Sequence, residues 1–567
     1  MRFLSAVCPI WCRWQDAKQV IIPRADCRQR FWKTLITVVL VSGIAFSSFL
    51  LIRGIADPWD SYGDTDGALF GSIARNYIQF GVFHLKFGQL TTFESITKPT
   101  GNYYLHHPPL FPLLAAVSMS LFGESEFSIR LVSTLATFGT ALLLFWFIKK
   151  STNAQAGLLG VLLFLSYPST IIFGRKPGYE ALTLFLIMLV VWSYRRYEET
   201  PQASRLIILL LSLSAALASD WAAYFLPPAL LAHSLVINRW RLPDKAFLLG
   251  IVVIPGMILG AFLLSIYLVE KTALINLLDQ GRAYAGWYTP GGVVAHQMVE
   301  AKISFSAREY LFRLVKNYNT AFGQTSIFLP LLGVVFMGRL KGLYGYTVIL
   351  LAAPLMTFLI FWRSLFFHLW WLQLLAAPLA ILGAVAVNGV LRLLENFQGK
   401  VVNITHAGII GAIFVPTIIG MLYNVQALSS YQIRLLPGDK QEAPDFVKVL
   451  GNRLREDTSR GDRILTNLTP NPLSIADPFT EVLPYYSRRE TTPGVESPSQ
   501  VNTYLDESGA ERHKFVFLLY LGQGKKAKDV GLRSWLNNNG KATSFTIHGE
   551  DFTLYRFEAR ATAAHAP

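Results

Sequence analysis

Between residues 34 and 425 one pattern recurs: continuous apolar runs, many close to the ~20 residues a helix needs to cross about 30 Å of hydrocarbon. Lipid offers backbone N–H and C=O groups no water, so a crossing segment must satisfy them internally, as a helix, or within a closed barrel. Barrel strands alternate apolar and polar residues, and these runs do not. The pattern predicts a multi-span α-helical membrane protein. Eleven spans are expected, at 34–52, 127–148, 153–172, 178–194, 204–219, 221–237, 246–269, 324–338, 343–361, 370–390 and 403–425. One further apolar stretch, Leu110–Phe122, is too short for a span and reads as an interfacial or re-entrant helix.

The basic residues orient these spans. Arg13, Lys18, Arg24, Arg28, Arg30 and Lys33 precede the first. Lys149 and Lys150, Arg195 and Arg196, Arg239, Arg241 and Lys245, Arg339 and Lys341, and Arg392 and Lys400 occupy alternate loops. With eleven spans all of these lie on one side, and Lys/Arg-rich loops belong in the cytoplasm. The formal charge of +15 is thereby a topology signal and not a nucleic-acid footprint. The expected organisation is a cytoplasmic segment 1–33, a membrane domain 34–425 with external loops 53–126 and 270–323, and an extracytoplasmic domain 426–567. The location expected is the cell (plasma or inner) membrane.

Composition agrees: 15% of residues are charged, against about 25% in soluble domains. The three cysteines, Cys8, Cys12 and Cys27, precede the first span, so no disulfide framework is expected. The spacing Cys8-x-x-x-Cys12 is loose for a metal pair, and no long apolar core within residues 1–30 suggests a signal peptide. In the C-terminal domain Ile464–Asn467 and Phe515–Tyr520 read as buried strands. Ser544–Ile547 and Phe552–Phe557 read as partly alternating strands, and Phe446–Arg455 and Val530–Leu536 as helices. That is a small α/β domain.

Chemistry concentrates in the external segments. The first runs Asp57-Pro58-Trp59-Asp60-Ser61-Tyr62-Gly63-Asp64-Thr65-Asp66. Either Asp64 or Asp66 could be a general base, or the two with His106 and His107 could hold a divalent metal. Both also read as solvent-facing loop acids or helix caps. Tyr104 precedes His106-His107-Pro108-Pro109, and the prolines favour a helix start that sets both imidazoles at an anion-attracting N-terminus. Arg175 and Lys176, against the positive-inside trend, suit a lipid phosphate; Arg175 reads equally as a headgroup anchor. Asp220 sits in a very short turn, Arg363 and His368 flank a late span, and Gly286–Gly292 could be a lid or a plain turn.

As a set, these motifs resemble the membrane glycosyltransferases that use polyprenyl- or dolichyl-phosphate sugars, the protein O-mannosyltransferases and the lipid A aminoarabinose transferase, with the GT-C fold. The resemblance is clearest over 57–148: the acidic pair, Ile73-Ala74-Arg75-Asn76-Tyr77, Lys98-Pro99, His106-His107-Pro108-Pro109-Leu110, and Leu121-Phe122-Gly123-Glu124 through Leu131. It implies a GT-C membrane domain that transfers a hexosyl or pentosyl group, with inversion, from a polyprenyl-phosphate donor to a lipid, glycan or protein acceptor at the external face. Asp64 best matches the family's acidic residue, with Asp66 next; family members usually show Asp-Glu where this chain has Asp64-Thr65-Asp66. The resemblance gives Lys98 a phosphate-contact role by its Lys-Pro motif, a part that Arg175 and Lys176 could share without a motif match, and Arg363 and His368 are similar in position to a basic residue that precedes a Pro-containing late span in the family. Two other classes compete, a transporter and a non-catalytic lipid-binding scaffold. Transport is disfavoured because ionisable residues are nearly absent from span centres.

Overall fold

The computed structural model describes residues 24–59, 64–91, 103–287, 306–323, 326–338, 340–363, 368–396, 446–468, 482–507, 514–520, 530–547 and 550–558. Cys8, Cys12, residues 60–63, Lys98, Gly291–Gly292 and the span expected at 403–425 lie outside them, as does the side chain of Asp64.

Helix α1 (Arg24–Ile52) leads into α2 (Asp64–Phe80), the two-residue strands β1 (Gln89–Leu90) and β2 (Tyr103–Tyr104), and α3 (Leu110–Phe122). Then come α4 (Glu126–Ser151), α5 (Ala154–Ser166), α6 (Pro168–Phe173), α7 (Tyr179–Glu199), α8 (Ala203–Leu217), α9 (Leu226–Ile237) and α10 (Lys245–Val269). The second external segment holds α11 (Lys271–Tyr284) and α12 (Ala307–Phe322). Helices α13 (Phe328–Met337), α14 (Lys341–Ile360) and α15 (Ala376–Asn396) follow.

Every expected span on described residues coincides with a helix or a helix pair. Among the described residues five helices are long and apolar enough to cross a membrane: those containing Lys33–Ile52, Glu126–Ser151, Lys245–Val269, Gly342–Ile360 and Leu369–Leu393. The break between α5 and α6 has a local cause. Pro168 follows Tyr167, which takes the extended φ −61°, ψ 132° that a residue before proline favours. Helix α4 starts where Ser125 caps Ser128 N at 3.3 Å, and it ends on Lys149 and Lys150, whose charge suits a C-terminus. Thirteen residues give α3 a length of about 20 Å. It packs Phe111, Ala115 and Met119 inward against α2 and α4.

The C-terminal domain comprises α16 (Phe446–Asp457), β3 (Arg463–Thr466), α17 (Val482–Ser487), β4 (Glu490–Thr492), α18 (Pro498–Glu507), β5 (Phe515–Tyr520), α19 (Val530–Asn539), β6 (Gly540–Ile547) and β7 (Glu550–Phe557). The sheet order is β4-β3-β5-β7-β6, parallel across β4, β3 and β5 and antiparallel from β5 through β7 to β6. All six residues of β5 are buried, because a strand's side chains alternate between faces and both faces are covered. Phe515, Phe517 and Leu519 join the cluster of Val501, Leu505, Leu532 and Leu536. Val516, Leu518 and Tyr520 join the core that continues into the helical bundle.

That continuity is a docked joint. Helix α17 lies on α2 at Gly71, where an added Cβ would come within 2.6 Å of both Ile129 Cδ1 and Tyr485 Cε2. Polar bonds frame the contact. Glu126 Oε1 accepts from Tyr486 Oη at 2.7 Å and from Lys448 Nζ at 2.8 Å, and Trp59 N donates to Tyr486 Oη at 3.0 Å.

Candidate active site

The acidic segment is held from below. Arg130, buried on α4, donates to the carbonyls of Asp57 (2.5 Å), Ile55 (3.2 Å) and Pro58 (3.4 Å) and lies 4.3 Å from the centre of the Trp59 ring. Gly67 permits this packing, since a Cβ there would stand 2.5 Å from the Trp59 indole. These contacts fix where α2 begins, with Asp64 and Asp66 on its first turn.

Asp66 Oδ2 meets Lys176 Nζ at 2.5 Å. Lys176, between α6 and α7, is only 5% exposed. Its ammonium also sits 4.0 Å from the Trp370 ring centre, a cation–π contact. A buried ammonium is costly unless paired, and a second carboxylate, Glu180 on the first turn of α7, interacts electrostatically with both Lys176 and Asp66.

The histidines complete the cluster. His107 Nδ1 is 3.2 Å from Asp220 Oδ1, and its ring stacks on Tyr179 (4.5 Å, 17°) and parallel to Tyr104 (6.1 Å, 6°). Asp220 also accepts from Trp221 N at 2.6 Å, capping the short helical turn that precedes α9. The His107 carbonyl accepts from Gln89 Nε2 at 2.6 Å, and Gln89 Oε1 accepts from Tyr179 Oη at 3.2 Å. His106 bonds through Nδ1 to Gln280 on α11, and its carbonyl accepts from Trp221 Nε1 at 2.7 Å. One turn on, Tyr284 Oη lies 3.2 Å from His368 Nε2. Helix α11 thus reaches two histidines that are 262 residues apart in sequence, a separation read directly from their positions.

Burial sets the charge of these groups. It lowers the pKa of His368 to about 3, with further contributions from Lys176 and His107. It lowers that of His106 as well, against the bond from Gln280. Both are neutral hydrogen-bonding groups at neutral pH. Burial, then the charge of Asp66, raises the Tyr104 hydroxyl well above its ordinary range.

The structure therefore gathers Asp66, Tyr104, His106, His107, Lys176, Asp220 and His368 at one end of the bundle. Two expected phosphate contacts have backbone partners among the described residues. Arg175 donates to the carbonyl of Arg53 at the end of α1, and Arg363 reaches the Ala283 carbonyl at 3.5 Å. Among the described residues no three of His, Cys, Asp and Glu form a metal-holding group. Asp66 engages Lys176, His107 engages Asp220 and His106 engages Gln280, while the side chain of Asp64, the fourth expected ligand, lies outside the described residues. Sequence reasoning missed Glu180, Gln280, Tyr284, Gln89 and Tyr179 as members of the site. The signal available for Gln280 and Tyr284 was their i,i+4 spacing, which puts both on one helix face.

Residues 106–263, which include His106, His107 and Asp220, match the dolichyl-phosphate-mannose-protein mannosyltransferase family. A segment of 118 residues is 30% identical to the undecaprenyl phosphate-alpha-4-amino-4-deoxy-L-arabinose arabinosyl transferase of Shewanella sediminis, covering 21% of this chain and 19% of that one. The matched segments span about a fifth of the curated relatives' lengths. The fold is similar to that of ArnT from Cupriavidus metallidurans bound to undecaprenyl phosphate, with TM-score 0.56 and 13% identity over 92% of this chain and 98% of that one. It is also similar to the Archaeoglobus fulgidus oligosaccharyltransferase in its apo form, with TM-score 0.51 and 13% identity over 92% and 75%. The chain is a multi-span helical membrane protein of the GT-C glycosyltransferase fold with a C-terminal α/β domain.

Proposed function

We propose that this protein transfers a sugar from a polyprenyl-phosphate donor to a lipid, glycan or protein acceptor of the cell envelope, at the external face of the inner membrane. The observation that carries the reading is the contact of Asp66 with the buried ammonium of Lys176, beside neutral histidines, at one end of an apolar bundle. A donor with a hydrocarbon tail and a charged head needs that combination of lipid access and a fixed cation. The structural relative whose bound ligand is undecaprenyl phosphate supports the same ligand class.

In this reading the acceptor hydroxyl attacks the anomeric carbon. The bond from that carbon to the phosphate oxygen breaks, its electron pair leaves with the phosphate, and the sugar inverts. Asp64, at the start of α2, takes the hydroxyl proton. Lys176 neutralises charge growing on the leaving phosphate, and Asp66 holds the ammonium in place. Lys98 is assigned to the same phosphate. Tyr104, His106, His107, Asp220 and His368 form the polar wall that orients the sugar, each fixed by a partner. Arg175 and Arg363 brace the surrounding chain in the described geometry. No step is assigned to a metal.

The topology follows the charges. Residues 1–33 are placed in the cytoplasm, 34–425 form the membrane domain of about eleven spans, and 426–567 lie outside. The test is sugar transfer by the full-length protein reconstituted in vesicles, with a panel of labelled polyprenyl-phosphate sugars and extracted envelope acceptors. Transfer from one donor, abolished in Asp64→Asn, is expected. Undiminished transfer in that variant removes the base assignment, and no transfer from any donor removes the reading.

A further inference from the structure

On the far side of α2 from Asp66 lies a small, solvent-open cleft between that helix and the C-terminal domain. Nine residues separate Asp66 from Arg75, two and a half turns, so the two side chains leave α2 on opposite faces, roughly 14 Å apart along its axis. The cleft is therefore not part of the site described above.

Its walls carry four arginines and two acids, Asp462 and Glu490. Arg75 and Asn76 come from α2, and Arg463, Arg488 and Arg489 from the edge of the C-terminal sheet. Arg489 serves the fold, donating to the carbonyls of Thr458 (2.7 Å) and Arg488 (3.0 Å). Arg463 pairs with Glu490 at 3.2 Å. Arg75 and Arg488 share a single carboxylate: Glu124 Oε1 is 2.5 Å from one and Oε2 is 2.7 Å from the other. Two guanidiniums on one carboxylate leave a net positive charge at the mouth. Burial lowers the pKa of Arg488, Glu124 opposes that, and Arg75 and Arg455 add repulsion. Arg488 is also held at φ +55°, a left-handed backbone that costs a side-chain-bearing residue energy and recurs at ligand sites.

A second observation gives the ligand a further feature. Asn76 is 1% exposed, and its Nδ2 donates to the Leu90 carbonyl at 2.8 Å. Its Oδ1 accepts no hydrogen bond from any described residue, although it is buried in the wall of this cleft. A buried acceptor without a donor is costly. A hydroxyl-bearing ligand supplies the donor.

We infer that the cleft between α2 and the C-terminal domain binds a hydroxyl-bearing phosphate, a sugar phosphate or glycerophosphate group, with Arg75 and Arg488 on the phosphate and Asn76 Oδ1 on a hydroxyl. The inference stands apart from the catalytic reading, because Arg75 lies two and a half turns of α2 from Asp66 and the inference is tested by binding.

The experiment is calorimetric titration of the full-length protein in detergent with glucose 1-phosphate, glycerol 3-phosphate and inorganic phosphate, and vesicle flotation with phosphatidylglycerol for the lipid-borne form. The organic phosphates should bind at least fivefold tighter than inorganic phosphate. R488Q should weaken them about tenfold, and N76A should erase their advantage over inorganic phosphate. K541Q, on the exposed edge strand β6 at the opposite side of the sheet, should bind them as the parent does. Stronger flotation on phosphatidylglycerol than on phosphatidylcholine, lost in R488Q, would assign the ligand to a lipid headgroup; soluble binding alone would assign it to a free phosphate. Parental affinity in R488Q overturns the inference, as does loss in K541Q. Melting temperature of each variant distinguishes lost binding from lost folding, and R488K, which keeps the charge, should restore part of the affinity.

Discussion

Asp66 and Lys176 form an asymmetric pair: the ammonium is buried and covered by Trp370, while about a third of the Asp66 side chain, 34%, faces solvent. Removing either partner therefore has different consequences. In Lys176→Met the aspartate is left to water, so stability should change by less than about 1 kcal/mol, while kcat/KM falls ~10²–10³-fold through loss of phosphate stabilisation. In Asp66→Asn a buried ammonium loses its nearest carboxylate, and stability should fall by roughly 1–3 kcal/mol. Thermal denaturation and steady-state kinetics on both variants check this, and equal losses of stability would contradict the asymmetry.

Asp64 and Asp66 should separate kinetically. As the base, Asp64 acts only while the proton moves, so Asp64→Asn should lower kcat about 10²–10⁴-fold and leave donor affinity within twofold. Asp66→Asn should weaken the donor instead. Titration of a non-transferable donor analogue, with single-turnover rates, reads the two effects apart.

The enclosed histidine makes the fold acid-sensitive. The pKa of His368 falls from an ordinary 6.5 to about 3 in the folded chain, so the unfolded chain binds more protons between these values. Stability is complete above about pH 6.5, declines as pH falls toward 3, and is short by at most ~2 kcal/mol at pH 5. His368→Asn should flatten the dependence of melting temperature on pH between 7 and 5. A variant whose curve parallels the parent's would assign the acid sensitivity to other groups.

Gln280 and Tyr284 should matter without touching the α2 acids. Tyr284→Phe removes one hydrogen bond to His368, worth about 1 kcal/mol and so roughly fivefold in kcat/KM. The loss should appear in kcat/KM for the sugar donor and leave melting temperature within about 1 °C. A drop in melting temperature with unchanged kinetics would make the contact purely structural.

Glu126 is the polar pin of the domain joint. Glu126→Ala takes from Tyr486 Oη its acceptor and from Lys448 Nζ its carboxylate, and should cost about 1–2 kcal/mol. Gly71→Val forces Ile129 and Tyr485 apart. Both variants should speed limited proteolysis between the helical bundle and the C-terminal domain.

The bundle was legible in the sequence because each helix carries its own apolar run. Leu110–Phe122 was bounded correctly, since Pro109 stands before it and Gly123 ends it at φ +83°. The strand Phe515–Tyr520 declared itself through six consecutive apolar or aromatic residues. Strand β4 did not, because three polar residues, Glu490–Thr492, look like any loop. The short helical turn Leu369–Leu375 was hidden within an apolar run continuous with α15. At the site, unusual residues such as the His106-His107 pair and Lys176 stood out. Their partners did not: the His107–Asp220 contact joins positions 113 residues apart, and glutamine and tyrosine on an amphipathic helix resemble ordinary surface residues.

Helix α2 bears Asp66 of the proposed catalytic centre and, five residues on, receives the C-terminal domain at Gly71. The C-terminal domain is consequently not a cassette that can be exchanged at a linker. A chimaera that grafts the tail of one relative onto the bundle of another must carry residues 64–80 and 124–130 with it, since Arg75, Glu124, Glu126 and Gly71 are cut to fit Tyr485, Tyr486 and Arg488. Engineering of this scaffold has its natural crossover points elsewhere, beyond α4 and before α16.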